Sequence, residues 1–315
     1  MLANYEVDLH GHTTRSDGSD TPEEFIRHAV ERGVKVCAIT DHDVIPPTTI
    51  TIDGVERDIQ EWAHEQGVEL MLGIEVSCET YIDDTHIVCF GCDWDDPFFK
   101  ELDDFCIQSK VNNYRQLTEA LTEQGMPIGW DEVLANNGNP IPEDQIQKKM
   151  IFELMARKGF FDTWSDAKLY VKNAKGLTKK REKPDAAYII REAHRTGGYV
   201  IMAHAHLVSE PITYQGNKIH LSVYIEKLIE AGIDGIEASY TYDKTSYSGK
   251  LTKQEIYDDI REYYGDRLFI SGGSDYHADG KKGVKNPREI GDCGITLEEF
   301  LANDRLVAML PHRPK

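Results

Sequence analysis

No uninterrupted run of about 18 apolar residues occurs anywhere in the 315-residue sequence, so a membrane-spanning helix is not expected. Nor does the stretch from Met1 to Gly18 carry the apolar segment of a signal peptide; it holds charged residues and histidines, which argues for a cytoplasmic protein and against signal-peptide secretion. Basic residues are in deficit, 35 Lys plus Arg against 55 Asp plus Glu, and the resulting charge of −20 repels a polyanion unless bound cations or local basic groups reverse the field. Stable binding of duplex nucleic acid is therefore disfavoured. Cysteines are few: Cys37, Cys78, Cys89, Cys92, Cys106 and Cys293 lie scattered, mostly inside apolar stretches, as reduced core residues do and disulfide frameworks do not. Cys89 and Cys92 have CxxC spacing, but no second pair and no helix N-terminus accompanies them, so neither zinc nor redox chemistry is expected there. Internal repeats and low-complexity segments are also missing.

What is present is enough apolar material for a core, 40% hydrophobic against 29% charged residues. The first ninety-odd residues alternate short apolar runs with helical patterns: YEVDLHGH, TPEEFIRHAVERG, VKVCAITDHD, IQEWAHEQG, VELMLGIEVS and THIVCFGCDW. Thr21 supplies an N-cap, Pro22 a first helical residue, Glu24 the box glutamate and Gly33 the stop. The same rhythm returns late, in IIREAHRTGG, YVIMAHAH, VYIEKLIEAG, IDGIEASY, KQEIYDDIREYYG and DRLFISGGSDYH. This is the β/α alternation of a parallel sheet or barrel, over residues 1–97 and 185–315. Residues 98–184 are helical by period and read as a helical insertion, or cap.

The apolar strands end repeatedly in ionisable residues. His10 and His12 close the first, Asp41 and His42 the second and Glu75 the third; His86 opens the fourth, His204 ends YVIMAH, and Asp275 and His277 end FISGGSDYH. Such positions line one rim of an α/β barrel, where sites are assembled. Residues two apart on a strand share a face, so His10 with His12, and Asp275 with His277, each form a two-toothed clamp. Neutral imidazoles with carboxylates suit Mn²⁺, Zn²⁺ or Fe²⁺, and a carboxylate such as Glu75 can bridge two ions. His28, His64, His194, His220 and His312 read instead as ordinary core or surface histidines.

The segments DLHGHTTRSDG, TPEEFIRHAVERGVKVCAITDHD, GIEVS, MAH and GGSDYH resemble, in order and spacing, the polymerase-and-histidinol-phosphatase (PHP) family of metal-dependent phosphoesterases. The resemblance implies a distorted (β/α)₇ TIM-like barrel with a two- or three-metal site at the strand C-terminal ends. By motif, one ion takes His10, His12, Glu75 and Asp275, and a second shares Glu75 and takes His86 and His204. A third takes Asp17, His42 and His277, with Asp17 standing where some relatives carry histidine, and these three are the candidates for organising catalysis at the leaving oxygen. Where relatives usually follow the MAH histidine with proline, this chain has Ala205 and then His206, a strand-exit residue, a spare ligand or a substrate contact. Relatives also touch phosphate from the first helix of the insertion, which makes Lys110 and Asn113 candidate substrate contacts. Both lie by the apolar stripe Leu102, Cys106, Leu117 and Leu121, which Ser109 and Asn113 interrupt.

The function implied is hydrolysis of a small phosphate ester, a nucleoside monophosphate or related monoester or a small cyclic phosphodiester, by hydroxide shared between ions about 3.5 Å apart. Two or three divalent ions also answer the negative net charge, because buried ions dominate the local field. A 5′–3′ exonuclease on short oligonucleotides, a histidinol-phosphate phosphatase and a non-catalytic metal-stabilised module are the alternatives. Two basic groups, residues 168–183 and Lys281, Lys282, Lys285 and Arg288, read as solvated faces or as attractors of phosphate.

Overall fold

The computed structural model describes residues 2–177 and 179–314. The chain divides into two compact units, Met1–Lys100 with Pro184–Lys315, and Glu101–Lys183.

The first unit is built on seven strands: β1 (Val7–Asp8), β2 (Val36–Ile39), β3 (Glu69–Ser77), β4 (His86–Phe90), β5 (Tyr199–Met202), β6 (Gly235–Ser239) and β7 (Phe269–Gly272). Their order in the sheet is their order in the chain. The two edges approach each other: Leu9 N–H donates to Gly272 O (3.2 Å) and His12 N–H to Tyr276 O (2.8 Å), leaving a nearly closed barrel. Alternation along the strands sorts the core. Val36, Ala38 and Met71 face an inner cluster with Val7, Leu9, Phe300 and Leu306. Cys37, Ile39, Leu70 and Leu72 face outward onto Phe25, Ile26, Ala29, Trp62 and Ala63 of the helices Pro22–Arg32 and Ile59–Gln66. The first of these helices carries the expected Thr21–Glu24 capping box and ends on Gly33 at φ 78°. All six cysteines are buried, and burial pushes the Cys89 thiol well up and that of Cys92 up to about 12, away from the thiolate that metal or redox work needs.

The all-parallel sheet expected from the alternation is not what forms. β1, β2 and β3 are parallel, as are β5, β6 and β7, but β4 runs antiparallel to both neighbours, with Ser77 opposite His86 and Ile87 opposite Met202. Only residues 78–85 separate β3 from β4, too few for the crossover of a dozen or more residues that a parallel return requires. The reversal matters for function, because it brings the first residue of β4, His86, to the end of the barrel where the other strands finish. Two hairpins were not anticipated: Thr49–Ile52 with Val55–Asp58 turns through Asp53 and Gly54, and Ile212–Tyr214 with Asn217–Ile219 through Gln215 and Gly216, all four at positive φ.

The second unit is helical. Val111, Leu117 and Leu121, from the helix Pro97–Glu123, pack with Ile151 and Met155 of Lys148–Arg157 and Val171 of Trp164–Asn173 in a core of its own.

Candidate metal centre

Glu75 is the axis of the site. It lies on the inward-facing register of β3, two residues past Gly73 and four past Met71, and is fully buried. Its Oε1 lies 2.9 Å from His86 Nδ1, 2.9 Å from His204 Nε2 and 3.3 Å from His10 Nε2. Its Oε2 lies 2.9 Å from His42 Nδ1 and 3.2 Å from His12 Nε2. A second buried carboxylate, Asp275, sets Oδ1 3.0 Å from His12 Nε2, 3.5 Å from His10 Nε2 and 3.4 Å from His277 Nδ1. Asp17, on the loop after β1, reaches His277 Nε2 at 3.0 Å.

Eight of the strand-end residues and Asp17 thus meet in one cluster, Asp41 joining none of its groups, as four overlapping sets with donor atoms close enough to share an ion: His10, His12 and Asp275; His10, Glu75 and His204; His42, Glu75 and His86; and His12, Asp17, His42 and His277. The groups overlap more than separate triads would, because His12 and His42 stand between Glu75 and the Asp17 loop. Exposure is graded: Glu75, His10 and His12 are closed to solvent, the side chains of His86 and His42 are 15% and 26% exposed, and that of Asp17 is 61% exposed, so the Asp17–His42 side is the mouth.

The electrostatics are those of a site built around cations. Burial pushes the Glu75 carboxyl up, but the imidazoles of His42, His10 and His86 outweigh it and hold that carboxyl well below its usual range. Burial likewise opposes charge on His42, yet Glu75 raises it to about 10, while His86, where burial dominates, falls to about 4. Several buried donor atoms have no hydrogen-bond partner among the described residues: His10 Nε2, both ring nitrogens of His12, His42 Nδ1 and Glu75 Oε2. Such atoms are costly to leave unmade in a dry interior. Their convergence, as a mixed nitrogen and oxygen set, fits divalent transition-metal ions.

Residues outside the nine hold these donors in place, in roles that the sequence reading did not give them. Asp275 Oδ2 accepts from Tyr240 OH (2.7 Å) and from Arg288 Nη1 (2.5 Å), and Arg288 also binds Asp279. Asp41 accepts from Thr13 N–H (2.8 Å), Thr13 Oγ1 (2.7 Å) and Ser16 Oγ (2.6 Å), which fixes the loop that carries Asp17. Glu237, fully buried on β6, faces His10 Nδ1 at 3.2 Å and accepts the His204 amide at 2.8 Å. The available signal for Glu237 was a carboxylate inside the otherwise apolar run IDGIEASY. Replacing Arg288 with Met keeps the stem and removes the charge that anchors Asp275; metal affinity is expected to fall about 10- to 100-fold, as losses of such orienting partners do, measured by competition with a chromophoric chelator.

The remaining candidates have contacts of their own. Lys110 Nζ donates to Asp144 O (2.9 Å) and Asn113 Nδ2 to Lys179 O (3.0 Å), both within the helical unit. Ser109 donates to Glu182 O (2.6 Å), so the polar breaks in the apolar stripe hold returning backbone. His206 sits in a short turn after β5, its amide donating to Tyr242 OH (3.3 Å), and it joins none of the ligand groups. The late basic group turns onto the protein: Lys281 pairs with Asp20 and Glu24, Lys282 with the Asp17 carbonyl, and Arg288 with Asp275 and Asp279. Lys168, Lys172, Lys175 and Lys179 are exposed. His28, His64, His194, His220 and His312 each pair with a carboxylate outside the cluster.

A barrel that gathers six imidazoles and three carboxylates at one strand-end rim defines a metal-dependent hydrolase. The chain belongs to the PHP-domain family, whose model matches residues 8–270, and is a phosphoesterase of that family. It is 25% identical over 86% of its length, and 93% of the relative's, to a phosphoribosyl 1,2-cyclic phosphate 1,2-diphosphodiesterase of Eggerthella lenta. To a 3′,5′-nucleoside bisphosphate phosphatase of Chromobacterium violaceum it is 25% identical over 88% of its length and 89% of the relative's. A 5′-3′ exoribonuclease of Haemophilus influenzae is 28% identical over 63% of this chain and 68% of its own. The fold is shared with a candidate metal-dependent phosphoesterase of Bifidobacterium adolescentis, at a TM-score of 0.66, 22% identity and 98% coverage of both chains. No helix among the described residues is long and apolar enough to cross a membrane.

Proposed function

We propose that the chain hydrolyses a small phosphorylated metabolite, a nucleotide or a small cyclic phosphodiester, with two or three divalent ions held by its nine rim residues. The observation that carries this reading is Glu75, whose two oxygens each face a different set of imidazoles, the disposition of a bridging carboxylate. His10, His12, Glu75 and Asp275 would hold one ion, Glu75, His86 and His204 a second, and Asp17, His42 and His277 a third. When bound, such ions polarise a phosphoryl oxygen and bring the pKa of water toward neutrality.

The chain's own residues supply the rest. Glu75 keeps its negative charge in a dry interior, because surrounding imidazoles stabilise the anion. Arg288 and Tyr240 hold Asp275 through Oδ2 and leave Oδ1 turned to His10 and His12. Asp17, His42 and His277 border the mouth, where a substrate's leaving oxygen would gather charge. A small metabolite is favoured over an oligonucleotide because the cyclic phosphodiesterase and the bisphosphate phosphatase align over 86% and 88% of this chain, whereas the exoribonuclease aligns over 63%.

Elemental analysis of protein produced with Mn²⁺, Zn²⁺ or Fe²⁺ is expected to show two to three ions per chain, and a phosphate-release screen over nucleoside mono- and bisphosphates and cyclic phosphates to find turnover that a chelator abolishes. One ion or none, or turnover that survives chelation, overturns the reading.

A further inference from the structure

A histidine binds a metal only through a nitrogen that keeps its lone pair, and the hydrogen bond made by the other ring nitrogen decides which one that is. At His10 the two nitrogens face different partners. Nε2 points to Glu75 Oε1 (3.3 Å) and Asp275 Oδ1 (3.5 Å), into the centre of the cluster, and has no hydrogen bond. Nδ1 points to both oxygens of Glu237, at 3.2 and 3.4 Å. An ionised carboxylate can only accept, so Glu237 draws the ring proton to Nδ1 and leaves the Nε2 lone pair directed at Glu75 and Asp275.

Glu237 has a second task. Its Oε2 accepts the backbone N–H of His204 at 2.8 Å. His204 adopts φ 27° and ψ 51°, a left-handed conformation that a histidine holds only under constraint. That conformation delivers its Nε2 to Glu75 Oε1 at 2.9 Å. The His10 and His204 rings then stack, with centroids 5.7 Å apart. One carboxylate on β6, outside every ligand group, therefore governs a ring on the far side of the barrel seam and a backbone turn on the neighbouring strand.

We propose that Glu237 is a positioning residue of the metal centre, setting the tautomer of His10 and the presentation of His204 together. The inference rests on the reading of the cluster as a metal centre. Glutamine at this position shows why the carboxylate is needed. If its oxygen accepts from His204, its amide NH₂ faces His10 Nδ1, which must then become the acceptor and move the proton onto Nε2. If its oxygen accepts from His10, the NH₂ opposes the His204 N–H. Either way one donor to the centre is lost, although shape and volume are conserved.

The test uses the full chain labelled with ¹⁵N-histidine and titrated with Zn²⁺. In the wild type, long-range ¹H–¹⁵N correlations are expected to show His10 protonated at Nδ1 and bound to zinc through Nε2. E237Q is expected to bind zinc at least about tenfold more weakly, with one ion fewer per chain at equal free zinc, at a metal-free thermal midpoint near that of the wild type. A wild type that binds zinc through His10 Nδ1, or a folded E237Q within twofold of wild-type affinity, overturns this inference and leaves the metal centre standing. A wild type that takes up no zinc, manganese or iron overturns both. Should E237Q fail to fold, the wild-type spectrum alone decides.

Discussion

Glu75→Gln is expected to lower turnover by about a thousandfold and to reduce metal content by at least one ion per chain. The amide is isosteric, so packing around the fully buried side chain survives. Its chemistry does not. Glu75 turns Oε1 to His10, His86 and His204 and Oε2 to His12 and His42, so each oxygen is committed to its own set of imidazoles. Glutamine offers a neutral oxygen to one side and an NH₂ donor to the other, which repels a cation. Losing a bridging anion removes several kcal/mol of charge stabilisation, and about 4 kcal/mol corresponds to the thousandfold change. Elemental analysis and steady-state kinetics on one preparation check the two parts together. Wild-type metal content with wild-type kcat would show that Glu75 is a buried structural carboxylate and no bridge.

The second large effect is expected at Asp17→Asn, with kcat reduced about a hundredfold and the binding of a non-hydrolysable analogue unchanged, the scale of losing one group that stabilises developing charge. Asp17 is the exposed member of the group His12, Asp17, His42 and His277, and its carboxylate contacts His277 Nε2. Burial of that carboxyl is outweighed by the His277 hydrogen bond and the neighbouring imidazoles, which hold it well below the usual carboxylate range. It therefore presents a fixed negative charge at the mouth. A loss confined to the transition state lowers kcat and kcat/KM together and spares ground-state binding. The competing explanation, that Asp17 caps the loop before Thr21, finds no support in the geometry: its carboxylate contacts His277 Nε2, and Thr21 with Glu24 caps the helix that follows. The thermal midpoint should accordingly stay close to that of the wild type. A destabilised variant with full metal content and undiminished kcat would retire the role of Asp17 at the leaving group.

Local rules carried much of the fold. The Thr21 box and the Gly33 stop bound one helix, and strands of alternating parity sort Cys37 and Ile39 from Val36 and Ala38. Periodicity reads residues 98–184 as helical, and the helix Pro97–Glu123 opens that stretch. Each depends on neighbours within a few residues, so it is written in the chain.

The ligand types were also legible, because ionisable residues at the ends of apolar strands are too costly to be incidental. What the sequence by itself determined is therefore a set of capped helices and apolar strands, with histidines and carboxylates placed where strands finish. Only the tertiary structure decided how they combine. The short 78–85 connection reverses β4 and turns His86, a strand's first residue, into a rim residue. The barrel's curvature brings Asp275 from β7 against His10 and His12 beyond β1 and lets Arg288, which reads in sequence as one of a basic surface group, fold inward onto Asp275. Glu237 meets His10 at a separation of 227 residues. Hydrogen bonds and ion pairs are made through space and depend on orientation as well as residue type, so partners this distant acquire their roles only when sheet closure sets the distance between them.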